Sequence, residues 1–229
     1  MHSLNDVSKH RWIYLSHVLS RGTPAYANGE GLSVETARSI ACGHSSNSVI
    51  LKLSNHLGTH VDAPKHFFEE GKTVDAYHPS DWIFSKVFIA DVPVKEGGVV
   101  NTSQLEPALF NADDIDLLLI RTGFERRRGE DSYWASSPGF DPGLCDFLRS
   151  RLPSFTAIGM DAISMASIKH RDMGHAAHRA FLGAGIRIFE DMALANAPAG
   201  KGLLQVIASP LIYENADGAQ CNIIGISIE

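Results

Sequence analysis

The stretch NHLGTHVDAPKHF, residues 55–67, concentrates side chains that bind metal ions. It contains three imidazoles and one carboxylate, from His56, His60, Asp62 and His66. Imidazole nitrogen and carboxylate oxygen are the ligands that proteins use for divalent ions such as zinc and manganese. The stretch therefore predicts a metal site, and the fold around it has to bring these side chains together.

A regular backbone would keep the four side chains apart. In a flat strand, His56 and His60 would share a face but lie roughly 13 Å apart, at ~3.3 Å per residue. Ligand atoms on one metal lie within about 4 Å of each other. A helix would bring the two histidines together, but Gly58 and Pro64 oppose it. We therefore predict a sharp bend at Gly58 and a stiff exit at Pro64 that directs His66 back toward the site.

The alternative is that these histidines lie in a surface loop and are close only in sequence. A lone pair with the spacing of His56 and His60 would fit that interpretation. Four donors with a glycine and a proline between them favour a shared cation instead.

The composition is that of an ordinary soluble globular protein. The chain has 229 residues, of which 44% are apolar and 20% are charged, and this length suffices for one buried core. A net charge of −6 without a basic stripe argues against nucleic-acid binding. No stretch approaches the roughly 20 apolar residues of a membrane span, and the first residues lack the apolar region of a secretory signal. We expect one domain, residues 1–229, with neither nucleic acid nor membrane as a partner.

The cysteines are few and widely spaced, at Cys42, Cys145 and Cys221. An odd number at such spacing excludes a disulfide framework and gives no paired-cysteine metal site. We therefore predict a reducing, cytoplasmic location and a metal held by histidine and carboxylate.

The apolar pattern predicts more strands than helices. Helices are expected at 139–153, where Pro142 can start the first turn, and at 174–185. Strands are expected at 11–19, 48–54, 82–94, 115–123, 155–162, 186–192, 202–213 and 221–229. Helices fall between some of the strands, so the predicted class is α/β with a mostly β core and a few packed helices.

The motif H56-L-G58-T59-H60-V-D62-A-P64-K-H66 resembles the signature of the cyclase family of metal-dependent hydrolases. That family includes the bacterial-type kynurenine formamidases (arylformamidases) and the isatin hydrolases. The resemblance extends to YLSHVLSRGTP near the start, LLIRTG, HRAFLGAGIRIFED and SPLIYENADGAQCNIIGI, and so covers most of the chain. It implies a single-domain swivelling β/β/α fold and a homo-oligomer, either a dimer or a tetramer.

The resemblance also implies a role for each matching residue. His66 corresponds to the catalytic histidine. The metal ligands would be His56, His60 and Asp62 for a first ion, with His178 and Glu190 completing a site for a second ion that Asp62 can bridge. Glu190 also ends a buried-looking strand, where a carboxylate is costly unless a cation or hydrogen bonds compensate it. We expect zinc or manganese, one or two per chain; His17, His170 and His175 are given no role.

The implied reaction is hydrolysis of a C–N amide bond of a small molecule. A metal ion can polarise the carbonyl and lower the pKa of water to around 7, while a histidine with a pKa near 6.5 transfers the proton. The substrate would be an N-formyl aryl amine such as N-formylkynurenine, or a lactam such as isatin. One departure leaves the substrate open: the formamidase pattern G-x-D-x-x-S-x-D continues here as GMDAISMA, residues 159–166, without its second acid.

Two alternatives remain at this point. The cluster can hold a structural metal in a non-catalytic binding protein, in which case protein ligands would fill every coordination position. The chain can also be a relative that cyclises or dehydrates a small carbonyl compound.

Overall fold

Strands dominate the computed structural model, which describes residues 10–228. There are four helices among the described residues: α1 (Thr102–Ala108), α2 (Ser132–Ala135), α3 (Gly143–Arg151) and α4 (Arg171–Gly183). The strands in this part of the chain are β1 (His10–Tyr14), β2 (Ser33–Arg38), β3 (Ser48–Lys52), β4 (His60–Asp62), β5 (Ile83–Phe84), β6 (Val87–Asp91), β7 (Val99–Val100), β8 (Leu117–Arg121), β9 (Gly139–Phe140), β10 (Ala157–Met160), β11 (Arg187–Glu190), β12 (Leu203–Pro210) and β13 (Gly218–Ile228). The predicted class, α/β with a mostly β core, is confirmed.

Nine of these strands form one mixed sheet in the order β5-β12-β13-β4-β11-β10-β8-β6, with β1 paired to β13. Strands β11, β10, β8 and β6 run parallel to one another, whereas β4 is antiparallel to both of its neighbours. Backbone hydrogen bonds between Ile89 and Gly200 draw the β6 edge toward the segment before β12. The sheet therefore curls almost to closure, and β4 joins its antiparallel half to its parallel half.

The two faces of the sheet are packed by different apolar clusters. On β8, Leu118 and Ile120 face the cluster beneath the helices, while Leu117 and Leu119 face the cluster inside the curl. This alternation follows from the two-residue period of a strand. Because both faces are covered, the parallel strands read as continuous apolar runs, as in LLLIR of β8.

A two-stranded hairpin, residues 33–52, projects from this core and is named the arm here. It consists of β2 and β3, which pair only with each other among the described residues. On β3, Val49, Ile50 and Leu51 are each slightly more than half exposed.

Most predicted elements are present, with shifted ends. The helix predicted from 174 begins at Arg171, and the helix after Pro142 ends at Arg151. The single strand predicted at 82–94 is wrong: it is two strands, β5 and β6, that pair with different neighbours. Strands β2, β4, β7 and β9 and helices α1 and α2 were not predicted. None of the helices in residues 10–228 has the length and apolar character needed to cross a membrane.

Candidate metal centre

The backbone bends sharply at Gly58, as the sequence predicts. Its φ is +74°, in the left-handed region, and a Cβ at this position would lie 2.6 Å from Cδ2 of Leu19. Both facts favour glycine. The bend turns His56 toward β4, so that it converges with His60 and Asp62 on the same side of that short strand.

Pairing of β4 with β11 brings Glu190 to the cluster. In this antiparallel ladder His60 lies opposite Glu190, and Asp62 lies opposite Ile188. Helix α4 packs nearby and presents His178 on its buried face. The ladder and the helix therefore bring two segments more than 100 residues apart in sequence to one point.

All five predicted metal ligands meet there. His60 Nε2 lies 3.4 Å from both Asp62 Oδ1 and Glu190 Oε2. His178 Nε2 lies 3.2 Å from Glu190 Oε1 and 3.5 Å from Asp62 Oδ2, and His56 Nδ1 lies 2.8 Å from Asp62 Oδ1. Among these five residues, two groups have ligand atoms within 4.8 Å of one another: His56, His60 and Asp62, and Asp62, His178 and Glu190. Asp62 belongs to both groups.

Hydrogen bonds on the far side of each imidazole fix its direction. His60 Nδ1 lies 2.8 Å from the Gly58 carbonyl oxygen, and His178 Nδ1 lies 2.8 Å from the Gly174 carbonyl oxygen. A carbonyl oxygen only accepts, so each Nδ1 carries the proton and each Nε2 faces the carboxylates. This is the arrangement expected of histidines that ligate a metal.

The donor set fits a divalent cation. Asp62 is fully buried, yet its Oδ2 accepts no hydrogen bond. A buried carboxylate oxygen without a partner is costly, and a cation between the two groups would satisfy it. Imidazole and carboxylate donors match zinc or manganese in type.

The charges of the cluster are strongly coupled. Burial opposes the charged form of His56 and His178, but hydrogen bonds to carboxylates outweigh it and raise the pKa of His56 to about 9 and that of His178 to about 10. Burial and the neighbouring Asp62 charge oppose ionisation of Glu190, yet hydrogen bonds from the histidines bring its pKa down to about 2. The carboxylates are therefore ionised and attract positive charge, which protons on the imidazoles or a metal ion can supply.

Ser164, in the segment that departs from the formamidase pattern, orients Glu190. Its Oγ donates to Glu190 Oε1 at 3.1 Å, and the Met165 backbone N–H donates to the same oxygen at 2.6 Å. Asp161 has a different task, because its carboxylate accepts hydrogen bonds from the Thr122 hydroxyl and from the backbone of Thr122 and Gly123.

His66 lies beside the cluster and is linked to it by Asp217, a residue that the sequence did not reveal. His66 Nδ1 and His56 Nε2 each lie 3.0 Å from Asp217 Oδ2. Asn55 Nδ2 donates to the other oxygen of Asp217 at 2.8 Å. In the sequence, Asp217 directly precedes Gly218, the first residue of β13, and has the character of an ordinary turn residue. Its contacts with His56 and His66 become visible only in the structure, where this turn lies over the bend at Gly58.

The cluster forms one wall of a cavity of about 330 Å³. Phe67 forms part of another wall and stacks on His178, with ring centroids 4.8 Å apart. His175 also lines the cavity, whereas His170 contacts the Gly97 carbonyl elsewhere. The lining outside the metal cluster is mainly apolar or aromatic with a few polar groups: Ala25, Tyr26, Gly29, Glu30, Ser54, Leu57, His66, Phe67, Ile163, Ser164, Ala166 and His175.

Residues 13–167 match the family model described as putative cyclase, and the chain belongs to that family. It is 28% identical to the kynurenine formamidase of Bacillus thuringiensis (strain Al Hakam) over 222 residues, covering 91% of this chain and 93% of that protein. The kynurenine formamidase of Geobacillus thermodenitrificans (strain NG80-2) is also 28% identical, over 209 residues, with the same coverage.

Solved structures share the fold. Isatin hydrolase A from Labrenzia aggregata superposes with a TM-score of 0.83 at 22% identity, covering 98% of this chain and 96% of that chain. An isatin hydrolase bound to the product analogue thioisatinate gives a TM-score of 0.82 at 18% identity, covering 97% and 94%.

Proposed function

We propose that the protein is a metal-dependent hydrolase that cleaves the C–N amide bond of a small aromatic amide or lactam. The observation that carries this proposal is the convergence of three imidazoles and two carboxylates, all but Asp62 lining a cavity, with His66 beside them. Membership of the cyclase family supports the same assignment.

We assign His56, His60 and Asp62 to a first metal ion and His178 and Glu190, with Asp62 shared, to a second. Zinc or manganese fits these donors. When bound, such an ion polarises a carbonyl group and makes water a better nucleophile. Because His66 is not needed as a ligand, the arrangement leaves room for substrate, which distinguishes it from the closed site of a structural metal.

His66 is the proposed acid–base residue. The Asp217 carboxylate only accepts hydrogen bonds, so it fixes the proton of His66 on Nδ1 and leaves Nε2 free. Nε2 can then take a proton from water and return it to the leaving nitrogen. Such proton transfer commonly contributes about 10² to 10⁴ in rate.

The cavity walls support an aromatic substrate. Tyr26, Phe67 and Ile163 give two aromatic surfaces and an aliphatic one beside the metal cluster. The relatives are kynurenine formamidases, and the similar solved structures are isatin hydrolases. Both reactions break a carbonyl–nitrogen bond whose nitrogen is attached to an aryl ring. N-formylkynurenine and isatin are therefore the first substrates to assay.

The test is hydrolysis of N-formylkynurenine, isatin and a set of simple lactones by the metal-loaded protein. We expect turnover of an aryl formamide or of isatin, lost on chelation and restored by zinc or manganese while the fold persists. Unfolding on chelation, with no turnover of any substrate, would favour a structural metal. Turnover restricted to lactones or to dehydration would favour the cyclising alternative.

We also propose that residues 1–229 form one cytoplasmic domain that assembles as a dimer or tetramer. The three unpaired cysteines support a reducing location. The exposed apolar residues Val49, Ile50 and Leu51 of the arm support self-association, since two-stranded hairpins are marginal in water without a covered face. The arm begins and ends near Glu30 and Ser54, which line the cavity, so a second copy that covers it would contact the cavity rim.

A further inference from the structure

Asp191, directly after the proposed ligand Glu190, has a strained backbone. Its φ is +50°, in the left-handed region that residues with a Cβ rarely adopt. Its side chain is buried and fully paired: Arg128 donates from Nε at 2.8 Å to one oxygen and from Nη2 at 2.7 Å to the other, and the Tyr133 hydroxyl donates at 2.6 Å. Surrounding contacts thus hold this residue in a conformation that it would not choose alone.

The backbone of Asp191 joins three segments. Its carbonyl oxygen accepts a hydrogen bond from Thr59 Oγ1 at 2.5 Å, and its N–H donates to the Ala162 carbonyl at 2.9 Å. Thr59 lies between the bend at Gly58 and the ligand His60. The last pair of the ladder between β4 and β11 is His60 opposite Glu190. The contact between Asp191 and Thr59 lies one residue beyond this pair, where both segments leave the sheet.

None of these side chains, from Thr59, Arg128, Tyr133 and Asp191, lines the cavity. They therefore act through the residues they hold. We propose that these four residues form a clamp that fixes the separation of His60 and Glu190 and thereby sets the metal affinity. The inference rests on the proposed function, in which those two residues ligate a metal.

Thr59→Val tests the clamp with little change in shape, because it replaces the hydroxyl by a methyl group. It removes the bond donated to Asp191 and also the bond accepted from the His17 backbone N–H. Thr59→Ser keeps the hydroxyl and is its matched control. Arg128→Lys keeps the charge but loses the paired contact with Asp191. Its control is Arg121→Lys, because Arg121 makes a similar two-pronged contact with Asp91 on neighbouring strands, away from the ligands.

The measurement is the dissociation constant of zinc from the full chain, by competition with a chromophoric chelator, together with the melting temperature of the metal-free protein. Residues that orient metal ligands typically change metal affinity by about 10- to 100-fold. We expect Thr59→Val and Arg128→Lys to weaken zinc binding at least tenfold, and Thr59→Ser and Arg121→Lys to bind as the wild type does.

Unchanged zinc affinity in Thr59→Val would overturn the inference, as would an equal loss in Arg121→Lys. If Arg128→Lys does not fold, the comparison of Thr59→Val with Thr59→Ser tests the inference by itself. A wild-type protein that binds neither zinc nor manganese would instead refute the proposed function, and the inference with it. Wild-type binding with unaffected variants contradicts the clamp only.

Discussion

At the scale of single residues, contacts outside the cluster set the direction of three of the proposed ligands. The Gly58 and Gly174 carbonyl oxygens turn the imidazoles of His60 and His178 inward, and Ser164 holds one oxygen of Glu190. Side chains that are oriented before the metal arrives lose less freedom on binding it. The cluster is thus prepared for a cation by residues that do not touch one.

His66→Ala should remove proton transfer and leave the metal in place. We expect turnover to fall at least a hundredfold, in line with the usual contribution of about 10² to 10⁴ from acid–base catalysis. Turnover and metal content are measured on the same preparation, with His78→Ala, an exposed histidine outside the cavity, as the control. Loss of metal from His66→Ala would show that His66 is a ligand.

Asp217→Asn should impair the same step. The amide can donate as well as accept, so it no longer fixes the proton of His66 on Nδ1. We expect kcat to fall about tenfold or more with the metal retained, by analogy with other residues that orient a catalytic group. Asp217 also contacts the proposed ligand His56, and His56, His66 and Asp217 lie close enough to share an ion. A drop in metal content would therefore assign Asp217 to the metal site, as a ligand or by orienting His56, and would contradict a role in proton transfer alone.

The crowding of donors in residues 55–67 predicted that His56, His60 and Asp62 would meet, and the family pattern added His178 and Glu190 to the same cluster. Asp217 was not predictable in this way. It lies 161 residues from His56 in sequence, in a turn whose composition gives no sign of a binding role. Its importance arises only from the pairing of β13 with β4, which carries the turn over the bend.

At the scale of elements, the bend at Gly58 decides whether the ligands meet. It interrupts the chain just before β4 and lets the three residues of that strand pair on both sides, with β11 and β13. The short strand is fully buried and polar at both ends, which is unusual unless those polar groups have partners. Bend and strand therefore act as one unit.

Gly58→Ala should disrupt this unit. A residue with a Cβ in left-handed backbone costs roughly 1–2 kcal/mol, and here the Cβ would also meet Leu19. We expect lower stability to urea and weaker zinc binding. Gly43→Ala is the matched control: its φ is +84°, but its Cβ would meet nothing within 4 Å and it lies in the arm. An equal effect of both changes on zinc affinity would contradict the role of the bend.

The sequence predicted the longer apolar strands better than the elements that lack an apolar pattern. The apolar runs of β8 and β11 are easy to recognise as strands, because both faces of the sheet are covered there. Strand β2 exposes most of its side chains, and α1 buries only Leu105, so neither has a periodic apolar pattern. The start of α1 is instead set by a capping box between Asn101 and Gln104, a local signal that is easily overlooked in a short helix.

At the scale of the whole molecule, the candidate site lies where the antiparallel and parallel halves of the sheet meet. The proposed ligands His60 and Asp62 lie on β4, and His56 lies before the bend that leads into it. Glu190 on β11 and His178 on α4 are the others, and Asp217 lies in the turn before β13, in the antiparallel half. The ligand geometry therefore depends on the closure of the entire sheet. The arm stands apart from this core and is available to a second copy.

Ile50→Glu should weaken the proposed self-association, because it places a charge among the exposed apolar residues of the arm. We expect a smaller mass in solution, measured by light scattering across a range of concentrations. Phe110→Glu is the control, since Phe110 is 80% exposed and lies outside the arm. A monomeric wild type, or an equal effect of both substitutions, would contradict assembly through the arm.

The central claim is that the bent segment gathers a cluster that holds a divalent ion. The most direct measurement is the metal content per chain of the protein after dialysis with zinc or manganese, compared with His60→Ala. We predict at least one ion per chain in the wild type and less than about a tenth of that in His60→Ala, since removing a buried ligand typically abolishes tight binding. Active wild-type protein that holds no ion and is indifferent to chelators would contradict the account.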